Sequence, residues 1–168
     1  MTAISFAESE ESGVGAPPDH FDARIREIYS YWDGKRGNGR PPFRSDLDPI
    51  VEIPRLLSSV WLLDVESPKI RFRYRLLGND MVSAGALPKV GDYLDERPRA
   101  GNLDDTLKAF KKVCESETPF WRSGRPHLLH DRFVSSLQLI SLPLYTDRQG
   151  EVSMLMNMTI YQWQSVDD

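Results

Sequence analysis

Residues 58–77 read SSVWLLDVESPKIRFRYRLL, two runs of alternating apolar residues on either side of the polar turn ESPK. Alternation with a period of two, rich in aromatic and β-branched residues, is typical of two strands joined as a hairpin. A two-residue loop inside the turn would place Trp61 opposite Tyr74 on an apolar face. The same register would place Asp64 opposite Arg71 on the reverse face.

The reverse face of this hairpin carries a row of arginines, Arg71, Arg73 and Arg75. Such a row could bind phosphate or a nucleotide. An exposed strand face with ion-paired arginines is the simpler interpretation, and we favour it. Val60 and Leu62 lie on this face as well, so we expect another element to cover part of it.

A second hairpin is predicted over residues 132–146 and 151–163. If residue 146 faces residue 151, Leu139 shares a face with Met156 and Met158, and this face would be the core side of the sheet.

The clearest helix is predicted over residues 102–116, where Asn102 can cap the first turn. Its apolar positions recur at helical spacing. A strand at residues 120–124 follows the break at Thr118 and Pro119. The apolar stripe of the helix consists of Leu103, Leu107, Phe110 and Cys114.

The N-terminal part of the chain divides into a tail and a helix. Residues 1–16 are rich in Ser, Glu, Gly and Ala, a composition that predicts a disordered acidic tail. A helix is predicted over residues 19–33, with Asp19 as its cap, before a basic loop rich in Gly and Pro. The apolar stripe of this helix consists of Phe21, Ile25, Ile28, Tyr29 and Trp32, which some surface must bury.

Composition limits the classes of function. The 168 residues carry a formal net charge of −4, so nucleic acid is not an expected partner. The single cysteine, Cys114, cannot form an intramolecular disulfide or a Cys-rich metal site. The sequence has no signal peptide and no apolar run of membrane-spanning length, which leads us to expect a cytoplasmic protein with no membrane partner.

Four short motifs carry a resemblance to a known family. They are RSDLDP at residues 44–49, RYRLLG at residues 73–78, GDYL at residues 91–94, and LPL at residues 142–144 before Asp147 and Gly150. As a set they resemble a bacterial PAS domain subfamily that occurs largely in α-proteobacteria as stand-alone proteins. The likeness spans about residues 30–162.

This resemblance implies an α+β fold. We expect a PAS-like five-stranded antiparallel sheet with helices on one face, preceded by an N-terminal helix. The chain would divide into the tail at residues 1–16, the N-terminal helix and basic linker at 17–44, the PAS-like domain at 45–163 and a C-terminal tail at 164–168.

PAS domains often hold a small ligand between sheet and helices, and several large side chains here are suited to such a pocket. They would equally fill a solid core. The candidate ligand-binding residues are Phe72, Tyr74, Phe110, Trp121, Met156 and Met158.

Cofactor chemistry has little support in the sequence. His127, His130 and Asp131 could hold a metal, but ordinary loop residues are the favoured interpretation. By the resemblance, haem would need a histidine on the long helix, which has none. Flavin photochemistry would need a cysteine near a helix start, whereas Cys114 lies near a helix end. We therefore expect no metal and no cofactor, and leave an unidentified small-molecule ligand as the alternative to a solid core.

The leading functional hypothesis is a single-domain sensory or protein-interaction module that signals to a partner protein in trans and is not an enzyme. The alternative is a small cone-shaped α+β enzyme of the isomerase or dehydratase type, with Asp131 or His127 as its buried acid or base. We also expect a homodimer, formed through the stripe of Phe21, Ile25, Ile28, Tyr29 and Trp32.

Overall fold

The computed structural model describes residues 10–85, 88–98, 102–127 and 133–164. Three short 3₁₀ helices, at Arg44–Asp46, Pro54–Ser59 and Leu94–Glu96, connect the main elements. The main elements in chain order are β1 (Glu11–Val14), α1 (Ala23–Lys35), α2 (Pro49–Glu52), β2 (Val60–Glu66), β3 (Arg71–Leu76), α3 (Asn79–Ser83), α4 (Leu103–Ser116), β4 (Phe120–Gly124), β5 (Val134–Tyr145) and β6 (Val152–Trp163).

The strands form one antiparallel sheet in the order β1-β4-β5-β6-β2-β3, so it has six strands where five were expected. The additional strand, β1, pairs with β4. The prediction of a disordered tail over residues 1–16 is therefore wrong at Glu11–Val14, because a strand can be held by main-chain hydrogen bonds without apolar side chains. Residues 1–9 lie outside the described part of the chain, as do residues 165–168.

The first predicted hairpin is present, with its register displaced by two residues. Val65 pairs with Phe72, and Leu63 pairs with Tyr74. The physical reason is the turn, which spans residues 67–70 instead of two residues. From Leu63 onward, a displacement of two keeps the side chains on their predicted faces, so the apolar face of this hairpin is confirmed.

The second hairpin, β5 with β6, departs from its predicted register by one residue along most of its length. Tyr145 pairs with Val152, but a bulge follows and Leu144 pairs with Met154. Leu139 consequently pairs with Thr159 instead of Met158. A displacement of one moves side chains to the opposite face, so the methionines do not share a face with Leu139.

Both faces of the sheet are covered, which corrects the expectation of helices on one face only. Helix α1 packs on one face and α4 on the other. The α1-side core comprises Phe21, Ile25, Ile28, Trp32, Leu47, Ile53, Leu56, Val60, Leu62, Ile140, Leu142, Leu144, Met154, Met156 and Met158. The α4-side core comprises Trp61, Leu63, Phe72, Tyr74, Met81, Leu94, Phe110, Val113, Leu137, Leu139, Tyr145, Val152 and Leu155.

Helix α1 begins later than predicted, because Asp22 and not Asp19 caps it by accepting the Arg24 amide at 2.9 Å. At its other end, the indole Nε1 of Trp32 donates to the carbonyl oxygen of Pro143 at 2.8 Å. This buried hydrogen bond fixes the helix to β5 of its own chain.

The predicted dimer stripe is therefore used within the chain. Phe21, Ile25, Ile28 and Trp32 are buried in the α1-side core, and Tyr29 packs against it. The choice of these residues as a dimer interface was wrong, because β5 and β6 present a complementary apolar face to them.

Candidate functional site

A small cavity of about 40 Å³ lies between α4 and the sheet, on the α4 side. Its walls come from α3, α4 and the strands β2, β4, β5 and β6, so both the helices and the sheet on the α4 side contribute. The lining residues are Trp61, Met81, Leu94, Thr106, Phe110, Arg122, His127, Leu137, Leu139, Thr159 and Tyr161.

Two hydrogen bonds orient polar groups in the cavity wall. The indole Nε1 of Trp61 donates to the Oγ1 of Thr159 at 2.9 Å. The Oγ1 of Thr106 lies 2.6 Å from the Nδ1 of His127. The cavity therefore presents positioned polar groups within a mostly apolar surface, which is the usual composition of a small-molecule site.

Arg122 is the charged residue of the cavity wall, and its side chain is only 5% exposed. Alternation along β4 turns Arg122 toward α4, whereas its neighbour Trp121 packs on the α1 side. Burial lowers the pKa of the guanidinium, and the carboxylate of Glu10 opposes that effect. Glu10 lies 3.4 Å from Nη2 of Arg122.

His127 is half-buried beside this cation. Burial lowers its pKa from the usual value, and the charge of Arg122 lowers it further. Both effects favour the neutral imidazole, which can donate one hydrogen bond and accept another.

An open basin of about 680 Å³ adjoins the cavity. Thr106, Arg122 and His127 line both spaces, and Glu10 and Asn102 lie on the outer side. These three residues thus form the wall between the buried cavity and solvent.

The structure separates the predicted pocket residues. Phe110 lines the cavity, and Phe72 and Tyr74 belong to the surrounding α4-side core. Met156 and Met158 lie in the α1-side core, and Trp121 packs against it. The six residues therefore do not form one pocket, because the bulge in β5 and β6 reverses the methionines.

Sequence reasoning missed Thr106, Arg122, Thr159 and Tyr161 as cavity residues. Arg122 could have been recognised, since a strand flanked by core residues rarely places an arginine on a covered face. Thr106 lies four residues before Phe110 on α4, which places both on one helix face.

The metal hypothesis rested on His127, His130 and Asp131. His130 and Asp131 lie outside the described residues. Within the described ranges, no three His, Cys, Asp or Glu side chains are grouped so that they could hold a metal ion.

The surroundings of Cys114 and of the arginine row indicate structural roles for these residues. Burial raises the pKa of the Cys114 thiol to about 12, which keeps it protonated. Arg71 pairs with Asp95 at 2.9 Å, Arg73 with Glu66 at 3.4 Å, and Arg75 with Asp64 at 3.8 Å. The interpretation of the row as ion-paired arginines is confirmed.

A comparison with known protein families matches part of this chain. A family model described as a PAS domain matches residues 21–86, the stretch from the start of α1 to just beyond α3. No curated protein and no solved structure gives a significant match. In the part of the chain that is described, no helix is long and apolar enough to cross a bilayer. The matched stretch, together with the mixed α and β architecture, supports a PAS domain in this chain, with six strands instead of five.

Proposed function

We propose that this protein is a PAS-type sensory module that binds a small molecule in the cavity beneath α4 and signals its occupancy to a partner protein in trans. One observation carries the proposal: the cavity lies between the long helix and the sheet, and it is lined by oriented polar groups. Polar groups held in place beside a cavity can orient a small molecule, which a fully packed core could not admit.

The surrounding core gives further support. Ser141 and Asn157 are paired positions on the α4 side of the sheet, and both residues are fully buried. Their Oγ and Oδ1 atoms have no hydrogen-bond partner among the described residues. Buried polar atoms without partners are costly, so this half of the core would gain stability from a water that supplied hydrogen bonds.

The α1 side, by contrast, is suited to a constant structural role. Its core joins α1 to β5 and β6 through fully buried Ile25, Ile28 and Trp32. A homodimer is not part of this proposal, because these side chains are already buried within one chain.

The enzyme alternative has less support. Such an enzyme needs a buried acid of raised pKa. Among the described residues that line the cavity, none is an aspartate or a glutamate, and Asp131 lies outside the described part of the chain. We therefore do not propose catalysis.

The proposal is tested by recording the indole N–H signals of the ¹⁵N-labelled protein against a library of small fragments. Trp61 reports on the cavity because its indole donates to Thr159 in the cavity wall, whereas Trp163 at the end of β6 is exposed. We expect some fragments to shift the Trp61 signal and leave the Trp163 signal unchanged.

A Leu139→Phe variant fills the cavity from β5 and should abolish these shifts. The matched control, Val82→Phe, adds the same ring at an exposed position on α3 and should preserve them. If no fragment shifts the Trp61 signal, or if the shifts persist in Leu139→Phe, the cavity is not a ligand site.

A further inference from the structure

A carboxylate already occupies the outer side of Arg122. The Oε2 of Glu10 lies 3.4 Å from Nη2 of Arg122, and Oε1 accepts the backbone N–H of Arg125 at 3.3 Å. A guanidinium and a backbone amide that converge on one carboxylate make an anion site.

The backbone beneath this carboxylate leaves room for it. A Cβ at Gly124 would lie 2.9 Å from Cδ of Glu10 and 3.0 Å from Nη2 of Arg122. Those distances are shorter than van der Waals contact, so the lack of a side chain at Gly124 permits the anion to approach the end of β4.

Arg122 has side-chain donors that Glu10 does not use. Both of its side-chain hydrogen bonds within the described residues come from Nη2, which donates to Glu10 and to the carbonyl oxygen of Arg125. Nε and Nη1 make none there. A guanidinium has five N–H donors, so the donors on Nε and Nη1 are free to bond a ligand at the cavity wall.

The side chain of Glu10 is held less firmly than that of Arg122. Its side chain is 62% exposed, and exposed ion pairs contribute little because water screens them. A carboxylate that enters the cavity meets the same guanidinium in a less polar environment, where a charge-assisted hydrogen bond is stronger. Two carboxylates on one guanidinium share a single positive charge and repel each other, so a ligand carboxylate competes with Glu10 even where it uses the other donors.

We propose that the cavity binds a small organic carboxylate through Arg122, and that Glu10 is a built-in competitor for the same guanidinium. This inference rests on the proposed function. The volume of about 40 Å³ sets the size of the ligand, since one water needs about 10–15 Å³ by the same measure. Three or so waters correspond to a carboxylate with a short alkyl chain, and Thr106 and Thr159 add polar groups to the same cavity wall.

Displacement of Glu10 provides a route for the signal. Glu10 immediately precedes β1, and the Gly15 amide at the other end of β1 donates to the carbonyl oxygen of Pro119 at 2.9 Å. A ligand that takes Arg122 from Glu10 removes one of the contacts that hold β1 to the sheet edge. Ligand binding thus loosens β1.

The test compares propionate with propionamide, a neutral molecule of the same shape, by titration of the Trp61 indole signal. We expect propionate to bind at least about tenfold more tightly, because only the anion gains the charge-assisted bond. Hydrogen exchange of the Gly15 amide should rise about threefold with saturating propionate and stay unchanged with propionamide.

Variants of Glu10 and Arg122 test whether these two charges cause the preference for propionate. Glu10→Gln should tighten propionate binding about threefold and leave propionamide binding unchanged. The matched control is Glu11→Gln, since Glu11 contacts His20 at 2.7 Å and not Arg122. Arg122→Met should remove the preference for propionate.

Equal affinities for propionate and propionamide, or equal effects of Glu10→Gln and Glu11→Gln, would overturn the inference, even if Arg122→Met failed to fold. If neutral fragments still shifted the Trp61 signal, the proposed cavity site would stand and only its assignment to carboxylates would fail. If no molecule shifted that signal, the cavity site itself would fail.

Discussion

Truncation of Phe110 is the most direct perturbation of the α4-side core. Its ring is fully buried, with ring centroids 5.8 Å from Phe72 and 6.3 Å from Trp61. In Phe110→Ala the lost transfer free energy of the ring is about 1.5–3 kcal/mol. The cavity left behind brings the total to about 3–5 kcal/mol. The upper half of that range applies here, because the new space joins an existing cavity instead of collapsing.

Urea unfolding measures this loss. With a slope of about 2 kcal/mol per M, the midpoint should fall by about 2 M. Lys108→Ala, an exposed position on the same helix, should stay within about 0.5 kcal/mol of the wild type. Benzene should stabilise Phe110→Ala and not the wild type, since it can refill the enlarged cavity. A loss below about 1 kcal/mol for Phe110→Ala, or equal losses for both variants, would refute the packing of α4 described above.

Two further predictions concern β1 and His127. Gly13→Ala should destabilise the protein by about 1–3 kcal/mol, because the new Cβ would lie 2.4 Å from Cζ2 of Trp121. Thermal unfolding checks this against Gly37→Ala, which has nothing within 4 Å; a harmless Gly13→Ala would contradict the packing of β1. The free energy of unfolding should fall from about pH 7 to 5, because His127 has a lowered pKa in the folded chain and the unfolded chain takes up the proton first. His127→Gln should flatten this slope, and an unchanged slope would show that His127 is not its source.

The strand and helix assignments followed from local patterns. The long helix was predicted at residues 102–116 and is observed at Leu103–Ser116, with Asn102 as its cap. Periodicity, a capping residue and a following Thr-Pro pair all lie within the segment itself, so no tertiary information was needed.

The pairing registers of the two hairpins could not be predicted from local patterns. Alternation gives the two faces of each strand, but the pairing partner depends on the backbone of the turn or bulge. The four-residue turn before Arg71 displaced one hairpin by two residues without exchanging its faces. The bulge beside Tyr145 displaced the other hairpin by one, and this single irregularity moved Met156 and Met158 out of the predicted pocket.

The prediction for the N-terminal segment was wrong for a different reason. Val14 is 61% exposed and β1 buries little apolar surface, so no hydrophobic signal distinguishes this strand from a tail. Arg122 and Glu10 are 112 residues apart, and their contact exists only because β1 and β4 are neighbours. The anion site at Arg122 could therefore not be predicted from local sequence patterns.

The division of the core into two faces also bears on how this sequence can tolerate insertions and deletions. Residues 147–150 form an exposed connection, where a change of length costs little closure entropy. A single residue removed within β5 would instead turn Ile140 and Leu142 toward α4 and Leu139 toward α1. A single residue removed within β6 would do the same to the methionines and Thr159. Natural length variation in this hairpin is therefore expected at its tip, or in steps of two along its strands.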